Sequence, residues 1–351
     1  MWINNSSKIV KGYFAFDLKA DELQERNEGV KPRGYLVMAK IKNPVLFSTY
    51  FDINASKLES CDVLNPTLNV DTKLFIDPLL IGASKHKEIR RDANRRLRKY
   101  FESMIKILKA SRCPGDTPWR QASRILNFRE IEATCLGYGA ASIHGRAFGV
   151  VLKSRLLRTA KEIIDLGCED PELFLLLPLL EEGIGPDRIS DMVTNIILPE
   201  LAQLTERIVR KFKLKSWDFK INNQIFRLPR NPYEIKLRPI ILVPKDILRE
   251  LPIALDWEGV CDAASRNAQI REEVSKYIGA IWEAKTRRQK AEIRRQVLSS
   301  REAVETLLAT LGLVEPIAYD FARDPSGVVV WRKVRERIAT DYPLSLLKED
   351  P

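Results

Sequence analysis

The sequence predicts a helix-dominated α+β protein. Three observations point there. The first eighty residues carry short β-forming runs separated by turn signals, and from Lys85 onward apolar residues recur every three or four positions. A β-rich stretch, residues 217–243, then interrupts the helical pattern. These changes of period divide the chain into a β- and loop-rich N-terminal part (1–82), a helical domain (83–216) and a C-terminal part (217–351) built from a β-hairpin and long helices.

Tyr13 to Leu18 (YFAFDL) and Tyr35 to Ile41 (YLVMAKI) read as strands, and Leu74 to Ile76 ends at the turn signal Asp77-Pro78. Ile89, Ala93, Leu97, Phe101, Met104 and Leu108 form one stripe, which predicts an amphipathic helix of about six turns. The segment Cys113 to Trp119 (CPGDTPW) breaks that helix, and Pro118 is placed to open the next. Gly137, Gly139, Gly145 and Gly149 precede an expected helix from Val150 to Leu166; their spacing fits no nucleotide-binding fingerprint. Asp170-Pro171 starts an apolar helix that stops at Gly183.

In GIGPDRISDMVTNII (183–197), Asp187 is expected to cap a helix whose core face is Ile189, Val193, Ile196 and Ile197. Pro199 should end or kink it, leaving Leu201, Leu204, Ile208 and Phe212 to a further helix. Trp217 to Val243 reads as strands with a turn at LPRNP (228–232), and PIILV (239–243) as a buried strand. Val274, Ile278 and Ile281, then Ile293, Val297, Val304, Leu308 and Leu311, make two helical stripes that stop at Gly312. YDFARDPSGVVVW (319–331) supplies a turn and a short strand.

Composition narrows the function classes. With 45% hydrophobic and 30% charged residues in 351, the chain has material for a core and is not a disordered polymer. Apolar runs such as Leu173 to Leu177 fall far short of the roughly 20 residues of a membrane span, and the N-terminal MWINNSSKIVKGYF lacks the features of a targeting signal. A cytoplasmic protein is expected, without membrane partners. The five cysteines (Cys61, Cys113, Cys135, Cys168, Cys261) stand singly, with no zinc-ligand spacing. Only two histidines, His86 and His144, are present, so chemistry in this chain must rest on carboxylates and lysines. No cofactor is expected unless the chain is a nuclease, which would need Mg²⁺.

The net charge of +11 is unevenly placed. Residues 85–112 and 205–245 each hold eleven Lys or Arg against three Asp or Glu, and residues 285–301 hold seven against one. Such segregation points to a polyanion, because every cation set on a phosphate releases counterions. Solvated helix faces are the plain alternative. The candidate phosphate contacts are Arg91, Arg95 and Arg98 on the 85–112 helix, with Arg287, Arg288, Arg294 and Arg295 further on. The expected ligand is nucleic acid, DNA in preference to RNA.

Two carboxylate groups offer a catalytic alternative. Asp187, Asp191 and Asn195 fall four residues apart on one helix face, where a divalent cation would relieve the like charges; capping and the helix dipole are the plain and favoured explanation. Glu234-Ile235-Lys236 is an E-x-K placed on an expected strand, which puts both charged side chains on one face. With Asp187 or Asp191 as the upstream ligand, Glu234 would hold Mg²⁺ and Lys236 would position the attacking water of a nuclease. Asp218 is a further candidate upstream acid, and paired charges on an exposed strand are the plain reading.

Three segments, LNPTLNVDTKLFIDPLL (64–80), GIGPDRISDMVTNII and YDFARDPSGVVVW, together resemble the N-terminal region of uncharacterised bacterial proteins found near restriction and phage-defence genes. Longer members of that group end in a PD-(D/E)XK-type nuclease module with a GPVDF…E-x-K signature. No such module precedes Pro351, so the resemblance carries over no catalytic residue. It implies a targeting, sensing or scaffolding component of antiviral defence, working with a nuclease or ATPase encoded nearby, rather than a stand-alone enzyme. A purely protein–protein scaffold, its basic faces meeting acidic subunits, is the third reading.

Overall fold

The apolar stripe that begins near Lys85 and the segment that follows Gly185 pack against each other, and several of the other elements pack directly on that pair. The computed structural model describes residues 13–16, 37–40, 45–69, 71–72, 74–126, 128, 131–136, 150–181, 186–234, 237–249, 287–313 and 317–322. The glycine segment 137–149, Gly183, the stripe of Val274, Ile278 and Ile281, and the 323–331 part of the tail motif lie outside them.

The fold is helix-dominated α+β. Strands β1 (Tyr13–Phe16) and β2 (Val37–Lys40) pair antiparallel, Tyr13 opposite Lys40. Two short helices follow, α1 (Phe47–Tyr50) and α2 (Ala55–Glu59), the second capped by the Asn54 side chain accepting from the Lys57 N–H. Strand β3 (Phe75–Ile76) leads into a 3-10 turn, Pro78–Ala83, at whose start Asp77 accepts from the Leu79 N–H. The expected six-turn helix forms in two pieces. A π-helical turn over Glu88–Ala93 runs into α3 (Asn94–Ala110), which buries Leu97, Phe101, Met104, Ile105 and Leu108. Helix α4 (Thr117–Ile125) opens with Pro118 in its first turn, as its sequence requires, and Asp116 caps it through the Trp119 N–H.

Helices α5 (Val150–Asp165) and α6 (Leu173–Leu180) precede α7 (Pro186–Phe212), the longest element. Helix α7 starts one residue before Asp187, so Asp187 falls inside the first turn and is not its cap. It also continues through Pro199, against expectation. Removing one backbone bond costs on the order of 3 kcal/mol. Ile196, Ile197, Leu201, Ala202 and Leu204, on both sides of the proline, are buried, and each large apolar side chain returns about 1.5–3 kcal/mol. Packing therefore outweighs the local break.

Strands β4 (Trp217–Ile221) and β5 (Gln224–Leu228) form a hairpin. Its turn is Asn222-Asn223, with φ of 45° and 65°, rather than LPRNP. Asparagine tolerates that left-handed backbone, which a type I′ turn demands at both positions. Residues 240–243 are buried as expected and Pro239 is half-buried, but the segment forms no strand. Ile240 N–H donates to the Pro229 carbonyl, Ile241 N–H to Ala133, and Leu242 N–H to the Thr205 hydroxyl on α7, while the Val243 carbonyl accepts from Leu64. Four partners from four places satisfy this backbone, so no ladder is needed.

Strand β6 (Leu248–Arg249) pairs antiparallel with β3, and α8 (Arg287–Val297) and α9 (Arg301–Gly312) end the described helices. The stripe running from Val297 to Leu311 is broken between them, where the Ser300 hydroxyl caps α9 through the Ala303 N–H. One buried hydrophobic cluster includes residues of all three sequence-defined parts, from Phe47 to Leu311. No helix among the described residues is long and apolar enough to cross a membrane.

Helices α3 and α7 are also joined by charge. Arg96 reaches from the surface and places Nε 2.7 and 2.9 Å from the two oxygens of the buried Glu200 carboxylate. Burial nevertheless raises the Glu200 carboxyl above its ordinary 4.5, because desolvation outweighs the hydrogen bond and the attraction of Arg96. A carboxyl with a raised folded-state pKa costs stability when ionised, and this cost disappears as pH falls through that pKa. Arg96→Met should therefore lower stability by about 3 kcal/mol at neutral pH and by less at pH 5. Urea denaturation at the two pH values reads this; equal stability of variant and wild type at pH 7 would contradict it.

Candidate nucleic-acid interface

The C-terminal half of α7 keeps Leu201, Leu204, Ile208 and Val209 in the core and presents Arg207, Arg210 and Lys211 on its outer side, all exposed. Cations suit this end, where the helix dipole is negative. Lys213 then takes a left-handed conformation (φ 53°), and the Leu214 N–H returns to the Val209 carbonyl, which stops the helix. Lys215 follows, its ammonium 5.3 Å from the centroid of the Trp217 ring.

Two other segments meet this end of α7. Arg207 Nε lies 2.7 Å from Glu88, and its Nη2 donates to His86 Nδ1 at 3.1 Å. A guanidinium can only donate, so Nδ1 is the acceptor of a neutral ring and Nε2–H points to the Asp62 carbonyl. Lys211 Nζ reaches Cys61 Sγ at 3.1 Å, and Lys85 pairs with Asp62 at 2.5 Å. On the other side, Glu206 accepts from Arg210 at 2.7 Å and from the Arg227 N–H at 3.2 Å, tying the hairpin to α7. The first two basic stretches of the sequence thus converge through direct contacts. The acids between them, Asp62, Glu88 and Glu206, are each committed to one of these bonds. Lys57, Lys87, Arg90, Lys213, Lys215 and Lys220 are exposed and make no ion pair among the described residues.

The sequence-predicted contacts have acidic neighbours of their own. Arg91 and Arg95 both pair with Asp92, at 3.0 and 2.6 Å, and the hydrogen bond from Arg91 holds that carboxyl below its ordinary value. Arg98 pairs with Glu102 at 3.3 Å, and Arg295 pairs with Glu292. Arg91, Arg95, Arg98 and Arg295 stay more than half exposed. Arg294 is committed elsewhere, to Glu162 at 2.9 Å, Glu181 at 3.2 Å and the Thr159 hydroxyl at 2.8 Å, so the third basic stretch docks on α5 and the end of α6. The side chains of Arg287 and Arg288 lie outside the described residues.

Of the nuclease constellation, the structure describes the side chains of Glu234, Asp191 and Asp218. Glu234 belongs to no strand. Asn231 accepts from the Tyr233 N–H, a local turn that ends any ladder, and the Glu234 carboxylate lies 3.4 Å from Arg238, which also pairs with Glu132. Lys236 and the side chain of Asp187 lie outside the described residues, and Asp191 is half-buried on α7, its carbonyl accepting from the Asn195 amide. Asp218 pairs loosely with Arg227 at 3.7 Å. Among the described residues no group of three or more His, Cys, Asp or Glu is placed to hold a metal ion.

A groove of about 300 Å³ is lined by Ile131, Ala133, Leu198, Ile221, Pro239 and Ile241, with Glu132 and Arg238 at its edge. It is apolar, and two carboxylates already match its one arginine, so it does not attract anions. The Cys135 thiol is buried and pushed up to about 12 by desolvation, which removes it as a nucleophile at neutral pH.

Residues missed by the sequence reading are Arg207, Arg210, Lys211, Lys213, Lys215 and Lys220. Their signal was present in the charge of residues 205–245 and in the alternation Lys211-Phe212-Lys213-Leu214-Lys215. That the 85–91 turn would pack beside them was not visible in the chain.

Replacing Arg294 by Met leaves Glu162 and the nearly buried Glu181 without their shared cation. The variant should melt at a lower temperature and exchange amide hydrogens faster across 287–297. Exchange limited to the wild-type rate would show that α8 is held by other contacts.

No curated protein and no solved structure matches this chain. Residues 52–256, more than half of the sequence and including the whole of the basic face just described, match the family described as Domain of unknown function (DUF8370), and the chain belongs to that family.

Proposed function

We propose that this protein binds nucleic acid through the face formed by the end of α7, the β4–β5 hairpin and the 57–62 and 85–91 segments. It acts as a targeting or sensing component and leaves chemistry to a partner effector. The observation that carries this reading is the convergence of two basic stretches, distant in sequence, on one surface whose acids are already paired while six cations are not. Such a surface neutralises phosphates at little desolvation cost and binds with a steep dependence on salt. The resemblance of three segments to defence-associated proteins supports a bacterial defence setting, in which an effector encoded nearby supplies nuclease or ATPase activity. DNA is the favoured ligand.

The test is the affinity for a duplex oligonucleotide between about 50 and 200 mM salt. Changing Lys211, Lys213 and Lys215 together to Glu should weaken binding at least about tenfold and flatten the log–log salt slope by roughly 0.9 for each phosphate no longer neutralised. Changing Arg91, Arg95 and Arg98 to Glu should have a smaller effect, since these arginines already share Asp92 and Glu102. A salt slope unchanged in the Lys211/Lys213/Lys215 variant would remove this face from the interface.

A further inference from the structure

His86 joins three parts of the basic face: its own 85–91 segment, α7 and the 57–62 segment. The residue is buried, and both ring nitrogens are occupied. Nδ1 accepts from Arg207 Nη2 at 3.1 Å, and Nε2–H donates to the Asp62 carbonyl at 3.3 Å. Arg207 is half exposed, and Glu88 holds its Nε at 2.7 Å. The ring thus binds a side chain that can only donate, and it does so only while Nδ1 carries no proton. Imidazole is the side chain whose charge ordinarily changes between about pH 5 and 8.

The surrounding charges decide what a proton would do. On the ring's own segment stand Lys85, Lys87, Glu88 and Arg90. Arg207 comes from α7, Asp62 from the 57–62 segment and Asp246 from the 245–247 turn. Asp62 and Asp246 are engaged by Lys85, through its ammonium at 2.5 Å and its backbone N–H at 2.6 Å. Glu88 is therefore the acid left to answer a charge on the ring. Burial works to raise the Glu88 carboxyl, but the Arg207 hydrogen bond and smaller contributions beside it hold it below its ordinary 4.5. It is ionised throughout the range in which an imidazole titrates.

We infer that His86 is a proton-operated latch on the basic face: a proton on Nδ1 ends the bond to Arg207, the imidazolium draws on Glu88, and the guanidinium is freed for a phosphate. This rests on the nucleic-acid reading above and adds its regulation. In the protonated state donor would face donor and cation would face cation across the present 3.1 Å contact. Proton uptake therefore adds the charge of His86 and the freed Arg207 to the face, and no acid. By linkage the reverse holds, and a phosphate on Arg207 favours the protonated ring. The face grips a polyanion harder as pH falls and lets go as it rises. A ring kept for packing alone carries no such coupling.

The experiment compares the full chain with His86→Gln, whose amide keeps an acceptor and a donor but takes up no proton. Affinity for a duplex oligonucleotide is measured at fixed salt at about pH 7.5 and about pH 5.5, on either side of the imidazole range. On acidification the wild type should gain at least about fivefold more than H86Q, the lower end of ordinary coupling between linked sites. Its salt slope should steepen by roughly 0.9 for each phosphate contact added. The other titrating groups are common to both proteins, so the difference isolates His86. Nitrogen NMR of the unliganded wild type needs no variant. Nδ1 should be bare and Nε2 protonated at neutral pH, and protonation of Nδ1 should speed exchange of the Arg207 Nε–H. A ring that takes up its proton with Arg207 exchange unchanged overturns the latch. So does an equal gain in the two proteins, and the basic face then stands. Failure to bind nucleic acid at either pH removes the proposed function and the latch's role in it together.

Discussion

Burial of helix α7 is the constraint on which the remaining structure depends. Its 27 residues run through the hydrophobic cluster, across a proline that local rules would have placed at a boundary. Its polar side chains complete the backbone bonding of other segments: the Ser190 hydroxyl accepts from the Ile76 N–H of β3, and the Thr205 hydroxyl accepts from the Leu242 N–H. These donors belong to a two-residue edge strand and to an unladdered segment, so a side chain completes what no further strand supplies. The helix therefore organises the β-containing parts as well as the helical ones, and Glu200 fixes it to α3 through Arg96.

The same helix determines where the charge goes. Its central turns are apolar and inside, so the cations of its last turns, and those of the hairpin that follows, emerge together on the surface. Some basic residues elsewhere are taken up by nearby groups. Arg91 and Arg95 share one aspartate, Arg96 serves Glu200, and Arg294 joins three groups on α5 and α6. A run of positive charge in sequence is thus divided by the fold into cations that hold the structure and cations that remain for a ligand. Exposed surface pairs contribute little to stability, and their arginines can exchange an acid for a phosphate; the buried ones cannot.

Legibility in the sequence followed the range of the interactions. The helix-dominated α+β class, the α4 start at Pro118, the β1 and β2 strands and the stripe of α3 all follow from local periodicity and turn chemistry. The continuity of α7 through Pro199 was not legible, because it comes from burial on both sides and not from propensity. The burial of residues 240–243 is legible but the lack of a strand there is not, since alternation and apolarity do not reveal which partners take the backbone bonds. For the site, the charge of 205–245 is legible in the sequence, but the pairing of each arginine in the helical clusters is not. Which of them would face acids depended on tertiary neighbours such as Glu200, Glu162 and Glu181. Glu234 shows the same limit: it follows a side-chain turn at Asn231 and stands in no strand.

The central claim is that the end of α7 and the hairpin form the surface that meets phosphates. Protection of lysines from acylation, mapped by mass spectrometry with and without saturating duplex DNA, tests it most directly. The account predicts strong protection of Lys211, Lys213, Lys215 and Lys220, with Lys106 and Lys153 reacting as in the free protein. Equal reactivity of the first group in the two states, or protection confined to the second, would contradict it.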